Sequence, residues 1–299
     1  MSVSLARPAL RSSHRTGVLL LLASAAIWGL NWPVMKFLVG ELPPTTIRAS
    51  TGIAGAVLAF LAARWQQEPG GIPVAMLPRL VLLSLLNITS WLGLATLALL
   101  WLPTSEAAIL SYTMPVWSIF FAWPILGERP SAMRVGGLAL SLAGCILLVA
   151  GQPLQASRAE LPGILLILAA SILFALGTVL SKRLPLPLPP VTNTAWQLLL
   201  GSLPLVAVAF ALDRPWQLHV TPLAWAALFW SALFALCLGY LAWFGALARL
   251  PASTSAIGTL LIPVVAVLAA TLLLGEPLGL RQLAALALTL TGVALATRA

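Results

Sequence analysis

Charge is what this chain has least of. Only 8% of its 299 residues are Asp, Glu, Lys or Arg, where a soluble globular domain carries roughly 25%. With a hydrophobic share of 61%, a water-soluble fold of this length would have too little polar surface to cover its apolar side chains. Acids are scarcest, seven against sixteen Lys and Arg. All seven, from Glu41 to Glu276, lie at or near the ends of apolar runs, so no buried carboxylate relay for protons is visible. The two cysteines, Cys145 and Cys237, each sit inside an apolar run, where a lone thiol acts as a small packing residue. His14 and His219 lie outside these runs, and no spacing assembles a metal centre. A phosphate-binding Gly-x-x-x-x-Gly-Lys-Ser/Thr loop is missing, as is a domain to contain one, which argues against an ATP-driven pump. Nor is there a compact acid–base pair or activated nucleophile. The chain is therefore read as non-enzymatic, with no cofactor and no metal; a membrane-embedded enzyme or a channel is the alternative from a different class.

What the chain does have is ten long apolar runs, at 17–38, 45–63, 77–98, 105–124, 132–150, 161–181, 192–211, 223–243, 253–272 and 281–297. Crossing about 30 Å of hydrocarbon takes roughly 20 apolar residues in a helix. Continuous runs exclude a membrane β-barrel, whose strands alternate over about ten residues. The first run continues through Trp28, Asn31 and Trp32 without a small-residue cleavage site, so it is expected to be a retained helix rather than a signal peptide. The net charge of +9 is spread singly over run ends, with no basic stripe for nucleic acid. Such charges orient membrane proteins. If the tail bearing Arg7, Arg11 and Arg15 is inside, 11 of the 16 Lys and Arg fall on that side; Lys36, Arg48, Arg158, Arg214 and Arg281 make up the other 5. This predicts both termini in the cytoplasm. Lys36 and Arg48 weaken the count, because each borders a helix end.

The chain also repeats itself. Leu126-Gly127-Glu128 recurs as Leu274-Gly275-Glu276, a spacing of 148 at which Pro103 and Pro251, Ser105 and Ser253, Pro115-Val116 and Pro263-Val264, and Gly144 and Gly292 also correspond. Earlier segments correspond at 146, with Lys36 opposite Lys182 and Pro44 opposite Pro190. Two halves follow, 1–150 and 151–299, each with five apolar runs. Because five is odd, the second half enters the membrane from the opposite side. A direct sequence repeat then becomes an inverted structural one, an arrangement that suits alternating access in transporters. The expected fold is all-α and polytopic, with ten transmembrane helices as two inverted five-helix repeats around a central cavity.

Three segments carry a family resemblance: SAAIWGLNWPVMK at 24–36, PTSEAAILSYTMPVWSIFFAWPILGERP at 103–130 and PASTSAIGTLLIPVVAVLAATLLLGEP at 251–277. The chain resembles the drug/metabolite transporter superfamily in its ten-helix EamA-type form, over residues 17–297. Within that family it looks like amino-acid and metabolite exporters of the YddG kind. The resemblance implies a multi-pass protein of the bacterial inner membrane that exports small amphipathic metabolites, amino acids including aromatic ones, as a facilitator or secondary carrier. Exporters of organic cations or drugs, and carriers of nucleosides or sugars, are the competing readings. The implied partners are a small solute and membrane lipid, with no nucleic acid, and the protein is expected to work as a monomer.

Candidate solute contacts are the polar and aromatic residues within the runs. Asn and Gln are costly in hydrocarbon and should face the bundle interior, where helix-to-helix hydrogen bonding explains them as well as solute binding does. Trp28 and Trp32 lie four apart on one helical face with Asn31 beside them. With Trp91, Ser111, Tyr112, Trp196, Gln197, Tyr240 and Thr259 they form the candidate wall, suited to an apolar body held by a few hydrogen bonds. Pro115 and Pro263 occupy equivalent mid-run positions, where each removes one backbone N–H and crowds a carbonyl; packing curvature and hinge motion both follow from such a kink. Glu128 and Glu276 match across the repeat as terminal or gate contacts.

Overall fold

Proline starts many of the helices. Pro44, Pro115, Pro162, Pro190 and Pro222 each occupy the first or second helical position, where the missing N–H would have no intrahelical partner anyway. The computed structural model describes residues 6–102, 107, 110–149, 158–274 and 279–298. Its main helices are α1 (Ala6–Glu41), α2 (Pro44–Trp65), α3 (Val74–Ala98), α4 (Met114–Leu126), α5 (Ala132–Val149), α6 (Leu161–Arg183), α7 (Pro190–Leu212), α8 (Pro222–Leu247), α9 in two pieces (Ala252–Gly258 and Leu261–Leu274) and α10 (Leu280–Arg298). Eight of these contain stretches long and apolar enough to cross a membrane, and α4 and α5 are shorter apolar helices. Large apolar side chains such as Leu61, Phe120, Leu165 and Phe210 point outward, as they do where lipid is the solvent.

Pairings between helices follow a regular plan. α2 lies along α7 and α5 along α10, while α1 packs on α8 and α9, and α6 on α3 and α4. Advancing each label in α1·α9, α1·α8 and α2·α8 by five, modulo ten, yields α6·α4, α6·α3 and α7·α3, all of which occur.

The α5–α10 seam is built from small residues. A Cβ added to Gly144 would lie 2.7 Å from the Ala285 carbonyl oxygen, and one added to Gly292 would lie 2.5 Å from that of Gly137. Ser141 Oγ donates to the Thr289 carbonyl at 3.4 Å, two residues 148 apart. These contacts are reciprocal: Gly144 meets Ala285 and Thr289, and Gly292 meets Gly137 and Ser141. Small side chains permit this backbone approach, the usual basis of tight helix pairing in membranes.

The α2–α7 pair is tied at both ends. Asp213, just past α7, accepts from the Thr46 N–H at 2.9 Å, the Thr46 hydroxyl at 2.7 Å and the Thr45 hydroxyl at the start of α2. Glu68, just past α2, accepts from the Thr192 N–H at 2.8 Å and its hydroxyl at 3.0 Å at the start of α7. A carboxylate here meets the orphan N–H groups and positive dipole end of a helix.

Two departures from the expected helices bear on function. α3 winds as a π-helix over Leu85–Leu94 and α8 over Ser231–Leu238, a rare form associated with functional sites. The mid-run prolines also do not kink a continuous helix. The chain breaks at turns 112–113 and 259–260, placing Pro115 and Pro263 in the first turn of a fresh helix. Thr113 and Thr259 close those turns by bonding N–H to the carbonyls of Leu110 at 3.2 Å and Ala256 at 3.1 Å. Their hydroxyls return to the same two carbonyls, each at 2.7 Å. A proline in a first turn has no N–H to lose to the helix, so the break relieves what a mid-helix position would strain.

Candidate functional site

Five rings from four helices meet in the interior. Trp28 of α1 lies 5.4 Å from Tyr240 and 5.9 Å from Trp243, both of α8. Phe174 of α6 is 5.8 Å from Trp243 and 5.6 Å from Trp91 of α3. Trp243 is fully buried, Tyr240 and Phe174 nearly so, and Trp28 and Trp91 half-buried. Winding of α8 positions the first contact. The Gly239 N–H bonds to the Phe234 and Leu236 carbonyls, and the Ala235 carbonyl between them accepts the Trp28 indole N–H at 2.9 Å. A Cβ on Gly239 would lie 2.6 Å from that indole nitrogen, so the residue must be glycine for the tryptophan to reach. The Trp243 indole N–H is buried without a partner.

A polar layer joins the rings. Ser231 Oγ donates to Asn31 Oδ1 at 2.9 Å, linking α8 to α1. Asn87 Nδ2 donates to Gln197 Oε1 at 3.1 Å and Ser181 Oγ at 3.0 Å, linking α3 to α7 and α6. Gln197 Nε2 donates in turn to Asn193 Oδ1 at 3.1 Å. The Tyr240 hydroxyl donates to the Asn87 carbonyl at 3.4 Å. Asn87 Oδ1 is buried and unsatisfied, which leaves one acceptor facing the interior beside Gly177.

The residue that sequence reading passed over is Arg48. Counted there as a charge at the membrane margin, it lies half-buried on the inner face of α2. Its Nε donates to Thr96 Oγ1 of α3 at 3.3 Å. Among the described residues no carboxylate pairs with it; Asp213, Glu68, Glu128 and Glu41 bond elsewhere. The available signal was its absence from the repeat. At the spacing of 146 that aligns Pro44 with Pro190, Arg48 falls opposite Thr194. A charge inside a span, present in one half only, needs a reason specific to that half.

Of the other candidates, Trp28, Asn31, Trp91, Gln197 and Tyr240 come together around this core. Trp196 does not: it packs on Phe60 at 5.2 Å and donates to the Gly70 carbonyl at 2.9 Å, so it anchors the segment after α2. Amphipathic indoles favour such span ends, where the N–H finds a loop carbonyl. Tyr112 packs in a separate cluster with Ala25, Leu138, Cys145 and Leu260. Ser111 is half-buried before the α4 break, and Thr259 is engaged in the α9 turn. Glu128 accepts from the Ala252 N–H at 2.9 Å, the Ser253 N–H at 3.3 Å and the Ser253 hydroxyl at 2.9 Å, tying the end of α4 to the start of α9. Beside it, Lys182 Nζ donates to the carbonyls of Leu247 at 2.9 Å and Leu250 at 2.6 Å. The Trp32 side chain and Glu276 lie outside the described residues.

The described helices form an apolar bundle with a ring-lined interior and inward-facing amides. The chain belongs to the EamA-like transporter family, whose model matches residues 15–150 and again 161–298. It is 31% identical to the uncharacterized transporter YvbV of Bacillus subtilis, over 94% of this chain and 92% of that one. It is 27% identical to a probable amino-acid metabolite efflux pump of Salmonella typhimurium, over 94% of each. It is 29% identical to the uncharacterized inner membrane transporter YedA of Escherichia coli, over 93% of this chain and 89% of that one. A solved crystal structure shares the fold with a TM-score of 0.83 at 18% identity, covering 95% of this chain and 97% of its own.

Proposed function

We propose that the protein exports amino acids, aromatic ones included, across a bacterial inner membrane by alternating access of two inverted five-helix halves, with both termini in the cytoplasm. The observation that carries the substrate class is Arg48: a guanidinium without a carboxylate partner among the described residues, bonded to Thr96 of α3, the helix that also brings Trp91 to the ring cluster. Such a site complements a solute with a carboxylate at one end and an apolar or aromatic body at the other, since guanidinium forks bind carboxylates in paired hydrogen bonds. The same charge repels an organic cation, and a neutral nucleoside or sugar would leave it unpaired. The Salmonella relative's description as an amino-acid metabolite efflux pump and the Escherichia relative's as an inner membrane transporter agree with this reading. Support for the inverted halves comes from the reciprocal α5–α10 contacts, the paired α2–α7 caps and the helix pairings that map onto one another.

The test is flux in sealed vesicles carrying the purified protein. Labelled tryptophan, phenylalanine and leucine should cross with saturation. Excess unlabelled substrate on the far side should accelerate exchange, which separates a carrier from a channel. Tryptamine, which lacks only the carboxylate of tryptophan, should compete poorly. Equal competition by tryptamine and tryptophan, or transport confined to organic cations, nucleosides or sugars, would overturn the assignment.

A further inference from the structure

A second site lies away from the ring cluster, at the end of the bundle where α1, α5, α9 and α10 meet. A cavity of about 400 Å³ opens there, lined by His14, Arg134, Pro251, Thr254, Thr297 and Arg298. It has two arginines and a histidine, two threonine hydroxyls, and no carboxylate among its lining residues. Arg134 is buried at 8% exposure, and its Nε donor has no partner. Leaving a charged donor buried and unpaired is costly. An anion in the cavity would give that Nε donor its acceptor.

We propose that this cavity binds a phosphate group, as the headgroup of an anionic phospholipid or as free phosphate. Arg134 supplies the buried charge, Arg298 closes the mouth, and the Thr254 and His14 side chains bring further polar groups to the oxygens. Depth favours the lipid source. Arg134 is the third residue of α5, Arg298 the last of α10, and His14 stands just before the apolar part of α1. All three lie where helices leave the hydrocarbon, at headgroup level. By the charge count this is the cytoplasmic side, where basic pockets between helices hold anionic headgroups. A phosphate here would join helices from both halves of the chain, bracing α1 and α9 against the α5–α10 seam.

Detergent-purified protein, stripped of lipid, is titrated with phosphatidylglycerol, phosphatidylcholine or inorganic phosphate. Binding is followed by native mass spectrometry and by the unfolding temperature. Phosphatidylglycerol should bind and raise the unfolding temperature, and phosphatidylcholine should not. Arg298→Ala, at an exposed helix end, and Thr254→Val should each weaken the phosphatidylglycerol effect, the arginine by about tenfold in affinity. Arg134→Gln should abolish it, while Arg249→Ala, a basic residue outside the cavity, should leave it intact. Stabilisation by inorganic phosphate that is lost in the same variants assigns the site to the free anion; stabilisation by the lipid alone assigns it to the headgroup. The proposal fails if phosphatidylcholine acts as well as phosphatidylglycerol, if neither phosphate source stabilises the protein, or if Arg298→Ala and Thr254→Val both bind like the wild type.

Discussion

Replacing Glu128 by Gln alters one charge at the junction of α4 and α9 and almost no volume. The carboxylate accepts two backbone N–H groups and one hydroxyl, at 2.9, 3.3 and 2.9 Å. Glutamine keeps one acceptor oxygen and turns an NH₂ group toward backbone N–H groups that cannot accept from it. The charge–dipole contribution at a helix N-terminus is about 0.3–1 kcal/mol, and converting a charge-assisted hydrogen bond to a neutral or missing one removes about 1 kcal/mol more. At the upper end these come to about 2 kcal/mol. If the contact exists only while this end of the bundle is closed, that loss shifts the closed-to-open ratio by about thirtyfold. Ser255 is fully buried on α9 behind the contact, so Ser255→Cys, in a chain with Cys145 and Cys237 replaced, reports on opening. The early rate of its reaction with a small thiol reagent, added from the cytoplasmic side, should rise about thirtyfold when Glu128→Gln is introduced. An unchanged labelling rate together with an unchanged unfolding temperature would show that the capping bonds do not hold this end shut.

Other perturbations follow from the same geometry. Gly292→Val should prevent close approach of α5 and α10, since even a Cβ there meets the Gly137 carbonyl at 2.5 Å; a clear fall in unfolding temperature is expected, and wild-type stability would contradict the seam. Pro115→Ala or Pro263→Ala should let each broken helix close up, slowing exchange while solute still binds, with binding and exchange measured in one preparation. Asn31→Leu, which strands the Ser231 hydroxyl, and Trp32→Ala should weaken transport without loss of membrane insertion; unchanged saturation curves for both would return these residues to packing. Single cysteines at positions 10 and 299 should react only from the cytoplasmic side of intact cells, and labelling of either from outside would refute the topology.

Much of the architecture was legible because it rests on long-period signals. Apolar runs gave most helix positions to within a few residues, and proline or Gly127, at φ 72°, punctuated several of the ends. Ser141 and Thr289, which meet across the α5–α10 seam, stand at the repeat spacing of 148, although the spacing alone does not say that such residues touch. The π-helical stretches left no such trace, because their extra winding answers to partners on other helices: the Ala235 carbonyl takes the Trp28 indole, whose ring packs on Tyr240 further along α8. Arg48 was missed for a related reason. Position near a run end suggested a membrane-margin charge, but a long side chain on α2 can reach inward, and its direction depends on which face of α2 meets α3 and α8. Trp196 illustrates the reverse error. It lies beside Gln197 in sequence, yet adjacent helical residues point about 100° apart, and only Gln197 turns toward Asn87.

The carboxylates at the helix starts also bear on how the two matched segments of the chain depend on each other. α2 in the first half is capped by Asp213 of the second, and α7 in the second half is capped by Glu68 of the first. A five-helix polypeptide alone would carry both the acid and the helix start, yet in this packing the two do not meet within one unit. Each matched segment supplies the acid that caps a helix start in the other. Separating the two matched segments would therefore strand the first-turn N–H groups of both α2 and α7, so neither segment completes its own helix starts.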